Sequence, residues 1–239
     1  MGRVKDPLHD AAPRCLSEYD RLMPTLLLDL DGTLVDSVPD LAAALNRLMV
    51  ARGLAKFSLA ETAALVGDGV QRLIANAFAA RGQRADKAAV AAYVADYGAH
   101  YAEQSRLYPD VAPTLHALVG SGWRLAVCTN KLEAPARALL ATLGIADLFA
   151  AVGGGDSFPA RKPDPRHLLA TLAAAGGVPE EAVMAGDHAN DVQAARAAGL
   201  PCIFAAWGYG TAEMGRPAQA TASRFAELPA LAAALLARR

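Results

Sequence analysis

Short apolar runs alternate with Ala/Leu-rich stretches of helical period through most of the chain. Runs of four to six residues that are apolar throughout, instead of alternating with polar ones, predict strands covered on both faces; the stretches between them predict the covering helices. The predicted strands are residues 25–30 (TLLLDL), 123–128 (WRLAVC), 149–152 (FAAV), 182–186 (AVMAG) and 202–206 (CIFAA). Helical patterns lie between them at APTLHALVGS, EAPARALLATLG, PRHLLATLAAAGG and NDVQAARAAG, and LPALAAALLARR closes the chain. Strand followed by helix, repeated, is the signature of an α/β fold: a Rossmann-like parallel sheet with helices on both faces.

One interval breaks the rhythm. From about Val38 to Leu107 helices follow one another with no strand between them. We therefore expect an all-helical cap over residues 37–107, inserted into a core made of residues 23–36 and 108–239. Ser37 with Asp40 has the form of a capping box opening its first helix, and Ser58 with Glu61 that of another. Residues 1–22 mix both charges with two prolines and carry no apolar segment of signal-peptide type, so a flexible extension is expected there.

Composition narrows the function classes. A formal net charge of −1 gives no basic field for a nucleic-acid backbone. The apolar runs are too short to cross a bilayer. Three scattered cysteines, Cys15, Cys128 and Cys202, make neither a disulfide framework nor a CxxC site, which fits a reducing cytoplasm. Small or acidic partners held by local sites remain, with no nucleic acid and no membrane, and the chain is expected to be a monomer or homodimer.

Candidate chemistry sits at the predicted strand ends, where ligands bind in open α/β sheets. Asp29 and Asp31 end the first strand; Thr129 and Asn130 follow LAVC; Lys162 lies in the loop after FAAVGGG; Asp187 and Asp191 follow AVMAG. An isolated Asp-x-Asp before glycine reads first as a turn or a helix cap. Here polar groups recur after other strands, and Gly32 with Thr33 would let backbone N–H groups approach an anion. Two carboxylates about 4 Å apart at an effective dielectric near 20 repel by about 4 kcal/mol, so a cluster of Asp29, Asp187 and Asp191 calls for a cation. With oxygen donors and no Cys/His set, Mg²⁺ is the natural ion. Cys128 reads as a small buried strand residue, since no group to activate it is identifiable.

The segments DLDGTLVDS, CTNK, RKPDP and GDHANDV, in this order, resemble the four motifs of the haloacid dehalogenase superfamily of phosphotransferases. The resemblance spans roughly Thr25 to Ala206, cap included, and within the superfamily TNK, the cap's GDG and DVQAARAAGLPCIFAAWGYG are most similar to the phosphoglycolate phosphatase family. It implies an Mg²⁺-dependent phosphomonoester hydrolase, with 2-phosphoglycolate as the expected substrate. Asp29 would be the nucleophile and Asp31 the general acid and then base, meeting the metal through its backbone carbonyl. Thr129 would bind a phosphoryl oxygen, Lys162 would offset charge, and Asp187 would bind the metal with Asp191 supporting it or capping its own helix. Gly32, Thr33 and Asn130 are expected at the substrate, and from the cap Gly69 and Arg72, the arginine facing a substrate carboxylate. His188 stands where relatives carry Ser or Thr, and no catalytic role is assigned to it.

Other functions share parts of this pattern. A dehalogenase needs no acid two residues beyond its nucleophile, so Asp31 argues against it. Nucleotidases, pyrophosphatases and sugar-phosphate mutases share the core motifs. A receiver-type signalling domain would store a phosphoaspartate; Asp31 and the helical insertion disfavour it. A catalytically silent binding protein would have lost a core residue, and none is missing.

Overall fold

The protein is described by a computed structural model over residues 23–238; the expected N-terminal extension and Cys15 lie outside the described residues. In chain order, β1 (Thr25–Leu28) and a short β2 (Val35–Asp36) precede four helices, α1 (Val38–Ala51), α2 (Leu59–Ala63), α3 (Val70–Ala80) and α4 (Lys87–His100). After β3 (Arg106–Leu107) come α5 (Val111–Gly120), β4 (Arg124–Cys128), α6 (Glu133–Thr142), β5 (Ala151–Gly153), α7 (Pro165–Ala174) and β6 (Ala182–Gly186). The remainder is α8 (Ala189–Ala197), β7 (Cys202–Ala205), α9 (Ala212–Gly215), β8 (Ala220–Ala222) and α10 (Leu228–Leu236).

Six strands form one parallel sheet in the order β5-β4-β1-β6-β7-β8. The first strand in sequence is thus central, and the chain winds outward from it in both directions. That makes the carboxyl end of β1 the crevice where adjacent connections diverge. Both sheet faces are covered, as the unalternating strands require. Leu26 and Leu28 join a core with Leu115, Leu139 and Leu235, while Leu27 points the other way, to Leu168, Leu172 and Val192.

The helices between β2 and β3 carry a separate core that includes Leu45, Met49, Ile74, Phe78, Tyr93 and Tyr97. The chain enters and leaves this layer through a two-stranded antiparallel ribbon, Val35 opposite Leu107 and Asp36 opposite Arg106. The capping box expected at Ser37 and Asp40 does not form. Ser37 Oγ donates instead to Asp31 (2.6 Å), and the buried Asp40 carboxylate accepts from the N–H groups of Gln104 (3.0 Å) and Ser105 (2.8 Å) and from Ser105 Oγ (2.7 Å). A buried carboxylate needs several donors, and the returning chain supplies more than a cap would. The box at Ser58 and Glu61 does form.

Two strands differ from the pattern by two residues at one end, and two others by one. The first strand ends at Leu28 instead of Leu30, because Leu30 O turns to accept from the N–H groups of Thr33, Leu34 and Val35. The expected strand at 149–152 is displaced to Ala151–Gly153 behind a 3-10 turn over Ala146–Leu148. The edge strand β8 and the ribbon are too short to show an apolar period.

Candidate active site

Lys162 is the anchor of the site. Its ammonium group has three donors and finds three acceptors: Cys128 O (2.6 Å), Asp191 Oδ1 (2.6 Å) and Asp29 Oδ1 (3.0 Å). Burial by itself would drive the proton off, yet Asp191 and Asp29 outweigh it and hold Lys162 charged, above the usual lysine range. Asp191 is held from its other side too, since Oδ2 accepts from His188 N–H (3.0 Å) as part of the cap of α8.

Asp29, Asp187 and Asp191 are all buried, and one carboxylate oxygen of each lies within 4.8 Å of the others. Burial, and secondarily Asp191, pushes Asp29 up to about 6 although Lys162 pulls it down. Burial, then Asp29 and Asp191, pushes Asp187 to about 8. Two of the three acids, Asp29 and Asp191, pair with the buried Lys162, so the cluster holds more negative charge than that cation balances. A compact, all-oxygen donor set with surplus charge fits a hard divalent ion.

Asp187 is aimed by its surroundings. Thr33 Oγ1 donates to Oδ1 (2.9 Å) and Tyr209 N–H to Oδ2 (2.8 Å). A Cβ on Gly32 or on Gly208 would overlap the Asp187 side chain. Gly32 and Thr33 therefore do something other than was expected. Their N–H groups are spent inside the turn, on Val35 O (2.9 Å) and Leu30 O (3.3 Å), and the two residues shape the Asp187 pocket instead of presenting backbone donors to an anion.

The Asp31 side chain turns away from this cluster. It accepts from Ser37 Oγ (2.6 Å) and from Lys131 Nζ (3.0 Å to Oδ1, 3.2 Å to Oδ2). Lys131 also lies 4.5 Å from the centre of the Tyr97 ring. Lys131 lies within CTNK, and nothing in the local sequence marks it for a role. Burial opposes its charge, and Asp31 more than restores it, so Lys131 too is held above the usual range.

Over the strand ends lies a cavity of about 320 Å³ between the sheet and the cap helices, lined by Asp29, Asp31, Thr129, Asn130, Lys131 and Gly69 among others. The cap tip is latched to the core. Asn130 Nδ2 donates to Gly67 O (2.8 Å) and Lys162 O (2.9 Å), and Asn190 Nδ2 to Asp68 Oδ1 (2.7 Å) and Gly67 O (3.3 Å). Asn130, expected at the substrate, thus spends its amide on joining two loops; its Oδ1 is buried without a partner. A Cβ on Gly67 would stand 2.6 Å from His188 Cδ2 and one on Gly69 3.0 Å from Asn130 O, so both glycines permit the close approach. Arg72 is not brought in. It is exposed and absent from the cavity wall, because α3 turns Leu73 and Ile74 inward. Cys128 is fully buried, its thiol raised to about 12 by burial, and no described helix is long and apolar enough to cross a membrane.

Comparison with known proteins agrees with this geometry. Residues 23–199 match the haloacid dehalogenase-like hydrolases. A phosphoglycolate phosphatase of Agrobacterium fabrum is 43% identical over 192 residues, 79% of this chain and 82% of that one. One of Cereibacter sphaeroides is 41% identical over 90% of this chain and all of its own length. Among solved structures, a predicted phosphoglycolate phosphatase from Haemophilus somnus superposes with a TM-score of 0.79 at 30% identity, covering 88% of this chain and 98% of its own. CbbY from Rhodobacter sphaeroides, in complex with phosphate, superposes with 0.70 at 27% identity over 86% and 96%. With its sheet order, its strand-end carboxylates and its relatives in agreement, this chain belongs to the haloacid dehalogenase-like hydrolase family.

Proposed function

We propose that the chain is an Mg²⁺-dependent phosphatase of small phosphomonoesters, with 2-phosphoglycolate its foremost substrate. The observation that carries this is the convergence of Asp29, Lys162 and Asp187 at the end of the central strand, where three buried carboxylates cluster and Lys162 pairs with two of them. The relatives named phosphoglycolate phosphatase, at 41–44% identity, support the substrate.

In this reading Asp29 attacks phosphorus, and the bond to the leaving alkoxide breaks as the Asp29–phosphorus bond forms. Asp31, outside the carboxylate cluster, delivers a proton to the leaving oxygen. It then takes one from the water that attacks phosphorus, which frees inorganic phosphate and restores Asp29. Thr129 binds a phosphoryl oxygen, and Lys162 offsets charge on the phosphoryl group and on Asp29. The carboxylates of Asp29 and Asp187, the Asp31 backbone carbonyl and, braced by Lys162, Asp191 are the groups that would hold Mg²⁺. When bound, the ion neutralises phosphoryl oxygens and the surplus carboxylate charge. The latched cap keeps bulk water from the first step.

A screen of 2-phosphoglycolate, sugar phosphates, nucleotides, pyrophosphate and p-nitrophenyl phosphate with Mg²⁺ tests the proposal. The expected result is metal-dependent phosphate release with the highest kcat/KM on 2-phosphoglycolate. Stoichiometric phosphorylation without turnover would instead mark a phosphate-storing domain, and a clear preference for another ester would remove the substrate assignment.

A further inference from the structure

Among the described residues, the wall of the cavity carries three charged side chains, Asp29, Asp31 and Lys131; most of the rest is apolar or aromatic, including Leu41, Leu73, Val70, Tyr93 and Tyr97. A doubly anionic ester must place its second anion somewhere in that space. In an apolar enclosure an unpaired carboxylate is strongly disfavoured, and a desolvated ion pair of good geometry is correspondingly selective. Arg72 is exposed and outside the wall, and Arg161, whose guanidinium would stand 3.5 Å from a Cβ on Gly69, is not among the lining residues either. Among the described residues, Lys131 is the cation that lines the cavity.

Its position suits the task. Lys131 Nζ touches both oxygens of Asp31, the group assigned above to the ester's leaving oxygen. In 2-phosphoglycolate the carboxylate is borne by the carbon that carries that oxygen, so a cation beside Asp31 is also beside the carboxylate. The backbone of Lys131 is pinned, its N–H donating to Thr129 Oγ1 (3.2 Å) and its carbonyl accepting from Gly155 N–H (2.7 Å), while the four-carbon stem leaves the ammonium free to shift by a short distance. Asp31 retains Ser37 Oγ as a second donor when it shares Lys131.

We infer that Lys131 is the specificity-determining residue of the site: it pairs with a carboxylate one carbon from the ester oxygen and so selects small phosphorylated hydroxy acids over phosphate esters without a carboxylate. This rests on the phosphoglycolate proposal above. A purely structural role for Lys131, neutralising Asp31, would affect every ester alike.

The test compares 2-phosphoglycolate with its carboxamide, a phosphate ester of the same size that lacks the carboxylate charge, on the wild type, Lys131→Gln, Lys131→Arg and Arg161→Gln. The wild type should favour the carboxylate by tenfold or more in kcat/KM, mainly through KM. Lys131→Gln should lower that ratio at least tenfold, Lys131→Arg should restore part of it, and Arg161→Gln should leave it in place. Equal wild-type rates on the two esters would overturn the inference without any variant having to fold. So would a Lys131→Gln enzyme slowed by the same factor on both, or loss of the preference in Arg161→Gln alone. A wild type that hydrolyses neither ester while turning over another phosphomonoester would remove the substrate proposal itself, and the inference with it.

Discussion

Lys162 Nζ and Asp191 Oδ1 stand 2.6 Å apart with both side chains out of solvent, so the ammonium that meets Asp29 is itself fixed by a second carboxylate. Removing one partner of a buried pair costs about 3–5 kcal/mol, because the other charge is stranded. Asp191→Ala should therefore lower the melting temperature by roughly 6–20 °C for a chain of this size and weaken Mg²⁺ binding. Thermal denaturation with and without Mg²⁺ measures both; an unchanged melting temperature would refute this role.

The two acids at the end of β1 should fail differently. Asp29→Asn should cut kcat by about 10³-fold or more, as expected for loss of a nucleophile, with little loss of secondary structure by circular dichroism. Asp31→Asn should slow release of the intermediate, so that intact-protein mass spectrometry after mixing with substrate finds enzyme carrying one phosphoryl group. Full turnover by either variant would sink its assignment.

Stability should depend on pH in a definite window. Asp29 and Asp187 are raised from 3.8 to about 6 and about 8, so the stability they permit is greatest at low pH and is lost as pH rises through those values. Buried His167, lowered from 6.5 to about 4, and His188, also lowered by burial, work in the opposite sense up to about 6.5. The contributions oppose one another below that point, and Asp187 acts without opposition from the histidines between about 6.5 and 8. The metal-free protein should lose up to about 1.4 kcal/mol per pH unit there, roughly 3–5 °C. Mg²⁺ should stabilise more at pH 8 than at pH 6, and Asp187→Asn should flatten the metal-free slope. A melting temperature that climbs from pH 6.5 to 8 would contradict the assignment.

Cap closure should be separable from chemistry. Gly67 has φ +125°, and its Cβ would meet the His188 imidazole at 2.6–2.8 Å. Gly67→Ala should raise KM about tenfold or more while the carboxylate cluster still binds Mg²⁺. Adding His188→Ala should recover part of the loss, the remainder reflecting backbone strain at positive φ. Calorimetric Mg²⁺ titration beside steady-state kinetics separates the two effects, and a KM unaffected by Gly67→Ala would dismiss the latch.

How much of this was legible depended on where the partner of each residue lies. Asp29, Thr129, Lys162 and Asp187 each follow an apolar run, and parallel pairing alone carries those run ends to one edge of the sheet. The expectation that Arg72 faces the substrate fails on the period of α3: Leu73, Ile74, Ala77 and Phe78 mark its inner face, and that face leaves Arg72 outside. Asp40 was misread because Ser-x-x-Asp looks the same whether the acid caps its own helix or bonds a chain returning 64 residues later. Lys131 and Tyr209 escaped for a related reason. Their partners, Asp31 and the Ser37–Val38 backbone, lie 100 or more positions away, and nothing local marks the pairing.

The Val35–Asp36/Arg106–Leu107 ribbon joins the two layers through a pair of adjacent crossings, clamped by Asp40 on the returning chain and by Tyr209, whose hydroxyl accepts from Ser37 and Val38 N–H and donates to Asp36. Such a junction is a splice point: a foreign helical segment grafted between those crossings would inherit the phosphate chemistry beneath it. It would lose the present lid along with it, whereas Lys131, rooted in the sheet side, would stay behind. Chimaeras built at this seam would therefore divide selectivity between what the lid excludes and what the floor attracts.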